Sequence, residues 1–196
     1  MNLLSAMTSR SVLVGLLSII CACSQTPDYV GTVRAFQNYK NEGNVESALE
    51  LFVDKPVLHF GSLGTITGVE GLRNILEYDI ALNTHLHFEG CQLTAREVTC
   101  RVTEKNDWLR LAGIDSIEYD ENSFAFSPDH RIESVVATLS RTSDQRLGAV
   151  MAEFHAWGTK HRPLEYGELF SADGDFVYSG ENAGKVTALL KAWRGE

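Results

Sequence analysis

Apolar side chains recur at two different spacings along this chain, and the spacing changes at about His85. Before His85, three segments carry apolar residues at helical spacing, which predicts three helices. These segments are residues 30–41, 45–52 and 68–81. Asn44 can cap the second helix, and Lys55-Pro56 is expected to end it before a short strand in the stretch PVLHFG.

Beyond His85 the apolar positions alternate with polar ones, as they do in strands with one buried face. Four strands are predicted in this way, in the stretches THLHFEGCQL, EVTCRVTEKNDWL, IDSIEYDENSFAF and RIESVVATL. Helical spacing returns after Arg141, in QRLGAVMAEFHAWGT and GKVTALLKAWR. Helices followed by consecutive long strands predict an α+β fold, with an antiparallel sheet and extra C-terminal helices.

A short apolar run near the start of the sequence, SVLVGLLSIICA, follows Arg10 and is typical of a secretory signal. It is shorter than the roughly 20 apolar residues of a transmembrane helix. Its end, ICAC, resembles a bacterial lipobox, which implies removal of residues 1–22 and a lipid on Cys23. Residues 23–29 then form a short tether, and the protein is expected at the outer membrane, facing the periplasm. An ordinary cleaved signal, with Cys23 as a free thiol, is the alternative.

Two further cysteines flank a predicted hairpin turn at Ala95-Arg96. This turn places Cys91 opposite Cys100 in an antiparallel pair, where opposed side chains are close enough to be bridged. Export would bring both thiols into an oxidising compartment. We therefore predict a Cys91–Cys100 disulfide, and two buried free cysteines are the alternative.

The charge balance narrows the range of partners. The chain of 196 residues has 26 acidic and 17 basic side chains, and its formal net charge is −9. Nucleic acids and anionic lipid surfaces bind proteins through a basic face. An acidic chain lacks such a face, so neither is an expected partner. Attachment to a membrane would then come from the lipid anchor. The length predicts one domain.

The order of elements and three short motifs resemble the nuclear-transport-factor-2-like fold, which includes ketosteroid isomerases and SnoaL-like polyketide cyclases. The motifs are GNVESALELFVDKPVLHF, ITGVEGLRNIL and FAFSPDHRIES. The resemblance covers residues 30–140, and residues 141–196 are expected to pack on the same domain as a helical extension. It implies a curved sheet wrapped by helices around a cone-shaped cavity that can hold a small apolar ligand.

The same resemblance allows the isomerase site to be compared with this chain. Those enzymes use a carboxylate base, a tyrosine and a protonated acid. The matching positions hold Phe60, Phe36 and Asn122, so all three chemical roles are lost and steroid isomerisation is not expected. We expect ligand-binding side chains instead at Phe36, Phe60, Tyr119, Asn122 and Phe124.

Catalysis of another kind would need other titrating groups. His59, with Asp79 or Asp107, could supply a base and an orienting carboxylate, or all three could be polar groups at the rim of the cavity. His85 and His87 begin a metal-site pattern, but no third ligand follows at a diagnostic spacing. We therefore expect neither a metal nor another cofactor.

Three functions follow from these observations. The first is a cell-envelope lipoprotein whose cone domain binds a small apolar molecule or an envelope protein. The second is an enzyme of the cyclase, isomerase or hydrolase type that uses His59 with Asp107 or Asp79. The third is a homodimeric interaction module. The apolar and amide residues at the isomerase positions favour the first.

Overall fold

A computed structural model describes residues 27–61 and 64–195 of the chain. The described residues form one curved, mixed sheet of six strands, and this confirms the predicted α+β fold. In chain order the strands are β1 (Phe52–His59), β2 (Thr65–Thr67), β3 (His85–Thr94), β4 (Glu97–Lys105), β5 (Ile117–Phe126) and β6 (Ile132–Leu139).

Seven helices are formed by the described residues, and they pack against the sheet or against one another. In chain order they are α1 (Tyr29–Glu42), α2 (Val45–Glu50), α3 (Gly68–Ala81), α4 (Asp107–Leu111), α5 (Arg141–His161), α6 (Pro163–Gly167) and α7 (Gly180–Arg194). Asn44 caps α2 as predicted, because its side chain accepts a hydrogen bond from the Ser47 amide.

The sheet has the strand order β2-β1-β6-β5-β4-β3. Strands β3 to β6 form the predicted antiparallel meander, whereas β1 pairs with β6 in parallel, with Leu58 opposite Val135. This parallel pair arises because the chain crosses from β1 through α3 to the far edge of the sheet. The meander then returns and ends beside β1, running in the same direction.

Two element boundaries differ from the prediction. Helix α2 ends at Glu50, and Lys55-Pro56 lies within β1 rather than after a helix. The Ile132 amide donates to the Leu51 carbonyl, so pairing with the distant β6 replaces the local helix. Strand β4 ends at Lys105 and α4 follows, because the Asn106 side chain accepts from the Leu109 amide and starts a helix.

The hairpin of β3 and β4 carries the predicted disulfide between Cys91 and Cys100. Ala95-Arg96 forms its two-residue turn, since Thr94 pairs with Glu97. Gly90 and Cys91 together oppose the single residue Cys100, and this two-to-one pairing is a β-bulge. Gly90 has the positive φ of +62° that such a bulge uses. The bulge brings the two cysteine Cα atoms to 4.2 Å.

The C-terminal helices share a buried cluster with α3 and α4. Tyr78 of α3, Leu82 directly after α3 and Leu111 of α4 belong to this cluster, together with Phe154, Leu169 and Leu190. Residues 141–195 therefore extend the core that the sheet and the first helices begin. No helix in the described part of the chain is both long enough and apolar enough to cross a membrane.

Helices α5 and α6 meet at a glycine. Gly158 is buried, and a Cβ atom at this position would overlap Cδ2 of Tyr166. The Tyr166 ring is held by Phe154 at 5.6 Å and Phe170 at 5.3 Å between ring centroids, so it has little room to move. Gly148, on the same helix, is exposed and has open space around its Cα atom.

Two glycine-to-alanine substitutions on α5 should therefore have opposite effects on stability. We expect Gly158→Ala to lower the free energy of unfolding by about 1–3 kcal/mol, because the added methyl group overpacks the contact with Tyr166. Gly148→Ala should raise it by about 1 kcal/mol, because alanine has the higher helix propensity. Urea unfolding monitored by circular dichroism measures both. Equal effects of the two substitutions would contradict the close contact between α5 and α6.

Candidate functional site

A cavity of about 350 Å³ lies between the concave face of the sheet, α1, α3 and the C-terminal helices. Its walls are mainly apolar. Inward-facing strand residues such as Leu58, Phe88 and Val135 supply one side, and Phe36, Leu72 and Leu76 of the helices supply the other. The C-terminal part of the chain contributes an aromatic wall, formed by Phe154, Tyr166, Phe170, Phe176 and Tyr178.

An ion pair joins α1 to α3 at the cavity. The Nζ atom of Lys40 lies 2.6 Å from Oδ2 of Asp79, and the two side chains are 8% and 17% exposed. Thr84 also donates a hydrogen bond to the Asp79 carboxylate. Both Lys40 and Asp79 line the cavity, so the pair is a charged patch in a mainly apolar wall.

Glu104, at the end of β4, places a second carboxyl group in the same wall. Its Oε2 atom accepts from the Tyr119 hydroxyl at 2.7 Å, and its Oε1 atom accepts from the Asn106 amide at 2.8 Å. Burial raises the pKa of Glu104, and the nearby charge of Asp79 raises it further, whereas the charge of Lys40 lowers it. Asn106 also caps α4, which fixes the direction of its amide.

Three tyrosines surround these charged groups. Burial raises the pKa values of Tyr78, Tyr119 and Tyr178, and the Asp79 and Glu104 carboxylates raise them further. All three hydroxyls are therefore neutral at physiological pH and can donate hydrogen bonds. Tyr78 and Tyr178 are packed edge to face, with ring centroids 5.3 Å apart, and Phe176 contacts both rings.

Asn122 is the other polar residue of note in the cavity wall. It is 6% exposed, and its Oδ1 atom has no hydrogen-bond partner among the described residues. A buried acceptor without a partner destabilises a fold by about 1–3 kcal/mol, so a native one requires an explanation. A ligand with a hydrogen-bond donor would supply the missing partner.

The five residues expected to bind a ligand all line this cavity. They are Phe36, Phe60, Tyr119, Asn122 and Phe124. The cone geometry implied by the resemblance brings them together from α1, from β5 and from the position directly after β1. That they contact a ligand stays a prediction.

The three expected catalytic residues are not brought together. Asp79 lines the cavity, paired with Lys40. His59 is exposed and does not line the cavity, and its Nδ1 atom lies 2.9 Å from the Thr65 hydroxyl. Asp107 begins α4 outside the cavity, where hydrogen bonds from Asn83 and Arg110 lower its pKa. Neither the His59 imidazole nor the Asp107 carboxylate therefore lines the cavity.

Sequence reasoning missed Lys40 and Glu104, although the pattern held a signal for each. Lys40 shares a helical face with Val33 and Phe36, so a charged residue interrupts an apolar stripe. Glu104 continues the buried alternation of Cys100 and Val102. A charge at an inward-facing position is an informative departure from the pattern.

The histidines of β3 lie apart from the cavity. His85 and His87 both occupy exposed positions of this strand. Within residues 27–61 and 64–195, no group of three or more histidine, cysteine, aspartate or glutamate side chains is arranged to hold a metal ion.

No protein-family model and no curated protein matches this chain. Solved structures do resemble it. SalBIII, an epoxide hydrolase/cyclase-like enzyme with a role in pyran ring formation in the polyether salinomycin, aligns with a TM-score of 0.52 at 13% identity, over 59% of this chain and 92% of its own.

Two further structures align with a TM-score of 0.51 at 12% identity. One is an NTF2-like protein of unknown function from Cytophaga hutchinsonii, with 64% of this chain and 98% of its own covered. The other is a Mycobacterium tuberculosis protein in complex with estradiol-17β-hemisuccinate, with 60% and 98% covered. At such low identity these structures show the fold alone: this chain has the nuclear-transport-factor-2-like fold.

The buried carboxyl of Glu104 should make stability depend on pH. Its pKa is higher in the folded protein than the ordinary value of 4.5, so the folded protein holds this proton more tightly than the unfolded chain does. The contribution of Glu104 to stability is therefore fully present below pH 4.5 and is lost as the pH rises through the folded-state pKa. We expect a steeper fall for the wild type than for Glu104→Gln, by up to about 1.4 kcal/mol per pH unit.

Urea unfolding at a series of pH values measures this difference. Glu118→Gln is the matched control, because Glu118 is on the neighbouring strand β5 at an exposed position. Glu118→Gln removes one negative charge, as Glu104→Gln does, and its free energy of unfolding should depend on pH as that of the wild type does. Parallel profiles for the wild type and Glu104→Gln would contradict the raised pKa.

Proposed function

We propose that this protein is an exported lipoprotein whose cone domain binds a small, largely apolar molecule. The observation that carries the proposal is the cavity of about 350 Å³, with apolar walls and a few convergent polar groups. Ligand sites in proteins have this composition, and their volumes begin at about 300 Å³. An apolar molecule that enters such a cavity lowers the free energy, because its surface and the apolar walls are both removed from water.

Binding is better supported than the acid–base chemistry suggested for His59. That alternative requires His59 to act with Asp107 or Asp79, and both His59 and Asp107 lie outside the cavity wall. Asp79 is already paired with Lys40. The M. tuberculosis neighbour is in complex with estradiol-17β-hemisuccinate, and this complex of a protein with the same fold supports small-molecule binding here.

The lipoprotein part of the proposal rests on the sequence. Cys23 lies outside the described residues, as does the whole apolar run before it. The Cys91–Cys100 disulfide supports export, because such bonds persist in oxidising compartments. Attachment at the outer membrane, an envelope protein as partner and a homodimer stay predictions of the sequence.

Binding can be tested with N-phenyl-1-naphthylamine, a neutral apolar dye that fluoresces when it leaves water. We expect saturable binding to the wild-type protein. Ala137→Leu should weaken it at least about tenfold, because Ala137 lines the cavity on β6 and the larger side chain fills space that the dye needs. Fluorescence titration gives the dissociation constants.

Thr138→Leu is the control for this substitution. Thr138 follows Ala137 on β6 and is exposed on the other face of the sheet. Thr138→Leu therefore introduces the same leucine side chain outside the cavity. It should leave dye binding unchanged. Failure of the wild type to bind the dye, or equal binding by the wild type and Ala137→Leu, would refute the proposed ligand site.

Lipidation can be tested in a bacterium fed an alkyne-tagged fatty acid. We expect label on the wild-type protein and none on Cys23→Ser, because the acyl group requires this thiol. Cys21→Ser should keep the label, since Cys21 belongs to the segment that is removed. Label that persists in Cys23→Ser, or an unlabelled wild type, would refute the lipid anchor, and the second result would favour an ordinary cleaved signal.

A further inference from the structure

We infer that the preferred ligand of this cavity is an apolar amine, a molecule with a hydrophobic body and one protonated nitrogen. This inference rests on the proposed function and names the chemical class of its ligand. It follows from the charges in the cavity wall, from the aromatic side chains beside them and from an acceptor that has no partner.

The charged groups of the cavity do not balance. Among the described residues, one cationic side chain, Lys40, and two acidic ones, Asp79 and Glu104, line the wall. Lys40 already contacts Asp79 at 2.6 Å. Glu104 receives hydrogen bonds from Tyr119 and Asn106, which are both neutral donors. One carboxyl group is therefore left without a cation of its own in the described wall of the cavity.

A proton or a bound cation can supply the missing positive charge. The raised pKa of Glu104 indicates that, without a ligand, the carboxyl holds its proton more readily than an exposed glutamate does. A protonated amine in the cavity would instead meet two carboxylates in a medium of low dielectric constant. There, charge-assisted hydrogen bonds are about twice as strong as neutral ones.

Aromatic rings surround the same charged groups. Tyr78, Tyr178 and Phe176 form a contiguous cluster in the wall, with centroid separations of 5.1–5.7 Å. Trp108 and Tyr119 also line the cavity. Faces of such rings attract ammonium groups, and they contact an apolar body equally well. An anionic or purely polar ligand would gain little from this wall.

Asn122 provides an independent indication of a ligand. Its Oδ1 atom is buried and has no partner among the described residues, although the residue lines the cavity. Asn122 pairs with Cys100, which precedes Glu104 by four residues on β4. Asn122 and Glu104 are thus roughly 13 Å apart along the direction of the strand. An elongated amine with a hydroxyl or N–H group at its far end would satisfy both.

Three matched compounds test the inference: 4-butylbenzylamine, 4-butylbenzyl alcohol and 4-butylbenzoate. They share one apolar body and differ in charge at neutral pH. We expect the amine to bind the wild-type protein at least about tenfold more tightly than the alcohol, and the benzoate most weakly. Isothermal titration calorimetry at one pH and ionic strength measures all three.

Three variants locate the effect. Glu104→Gln should reduce the preference for the amine over the alcohol to within about threefold, because it removes the unbalanced charge. Glu118→Gln removes an exposed charge and should keep the preference of the wild type. Ala137→Leu should weaken binding of the amine and the alcohol alike, which separates cavity binding from attraction to an acidic surface.

The outcomes distinguish this inference from the proposed function. Dye binding that is sensitive to Ala137→Leu, with an amine that binds no better than the alcohol, would overturn the inference and leave the proposed function in place. An amine preference that survives in Glu104→Gln, or amine binding unaffected by Ala137→Leu, would overturn it too. If Glu104→Gln fails to fold, the ranking of the three compounds on the wild type decides.

Discussion

The ion pair of Lys40 and Asp79 is the interaction on which the cavity depends. It joins α1 to α3 across the apolar interior, at a separation of 2.6 Å between Nζ and Oδ2. Removal of one partner from a buried pair leaves an uncompensated charge and typically costs about 3–5 kcal/mol. The pair therefore holds the two helices in one arrangement above the sheet, and Glu104 is then the carboxyl without a cationic partner in the described wall.

Much of the fold could be predicted because local patterns and tertiary contacts agree. The turn at Ala95-Arg96 fixed the pairing of β3 with β4, and with it the pairing of Cys91 with Cys100. The parallel pair of β1 and β6 could not be predicted in this way. Its partners, such as Leu58 and Val135, are far apart in sequence, and nothing local to either strand specifies the other.

The candidate site shows the same division. Apolar lining residues such as Phe36 and Phe124 follow from the cone geometry that the sequence motifs imply. The catalytic candidates were chosen by residue type, and His59 is exposed because it alternates with the inward-facing Leu58 on β1. Glu104 was missed because an acidic residue at the end of a strand is usually a solvated one.

One amide links the stability of the fold to the chemistry of the cavity. The side-chain Oδ1 atom of Asn106 accepts from the Leu109 amide and begins α4, while the side-chain NH₂ group donates to Glu104. Few other side chains can both accept at a helix start and donate to a carboxylate. A substitution at Asn106 would therefore change both the start of α4 and the hydrogen bonding of a carboxyl group in the cavity wall. Conversely, a side chain that replaces Glu104 keeps this link only if it also accepts the hydrogen bond that the Asn106 NH₂ group donates.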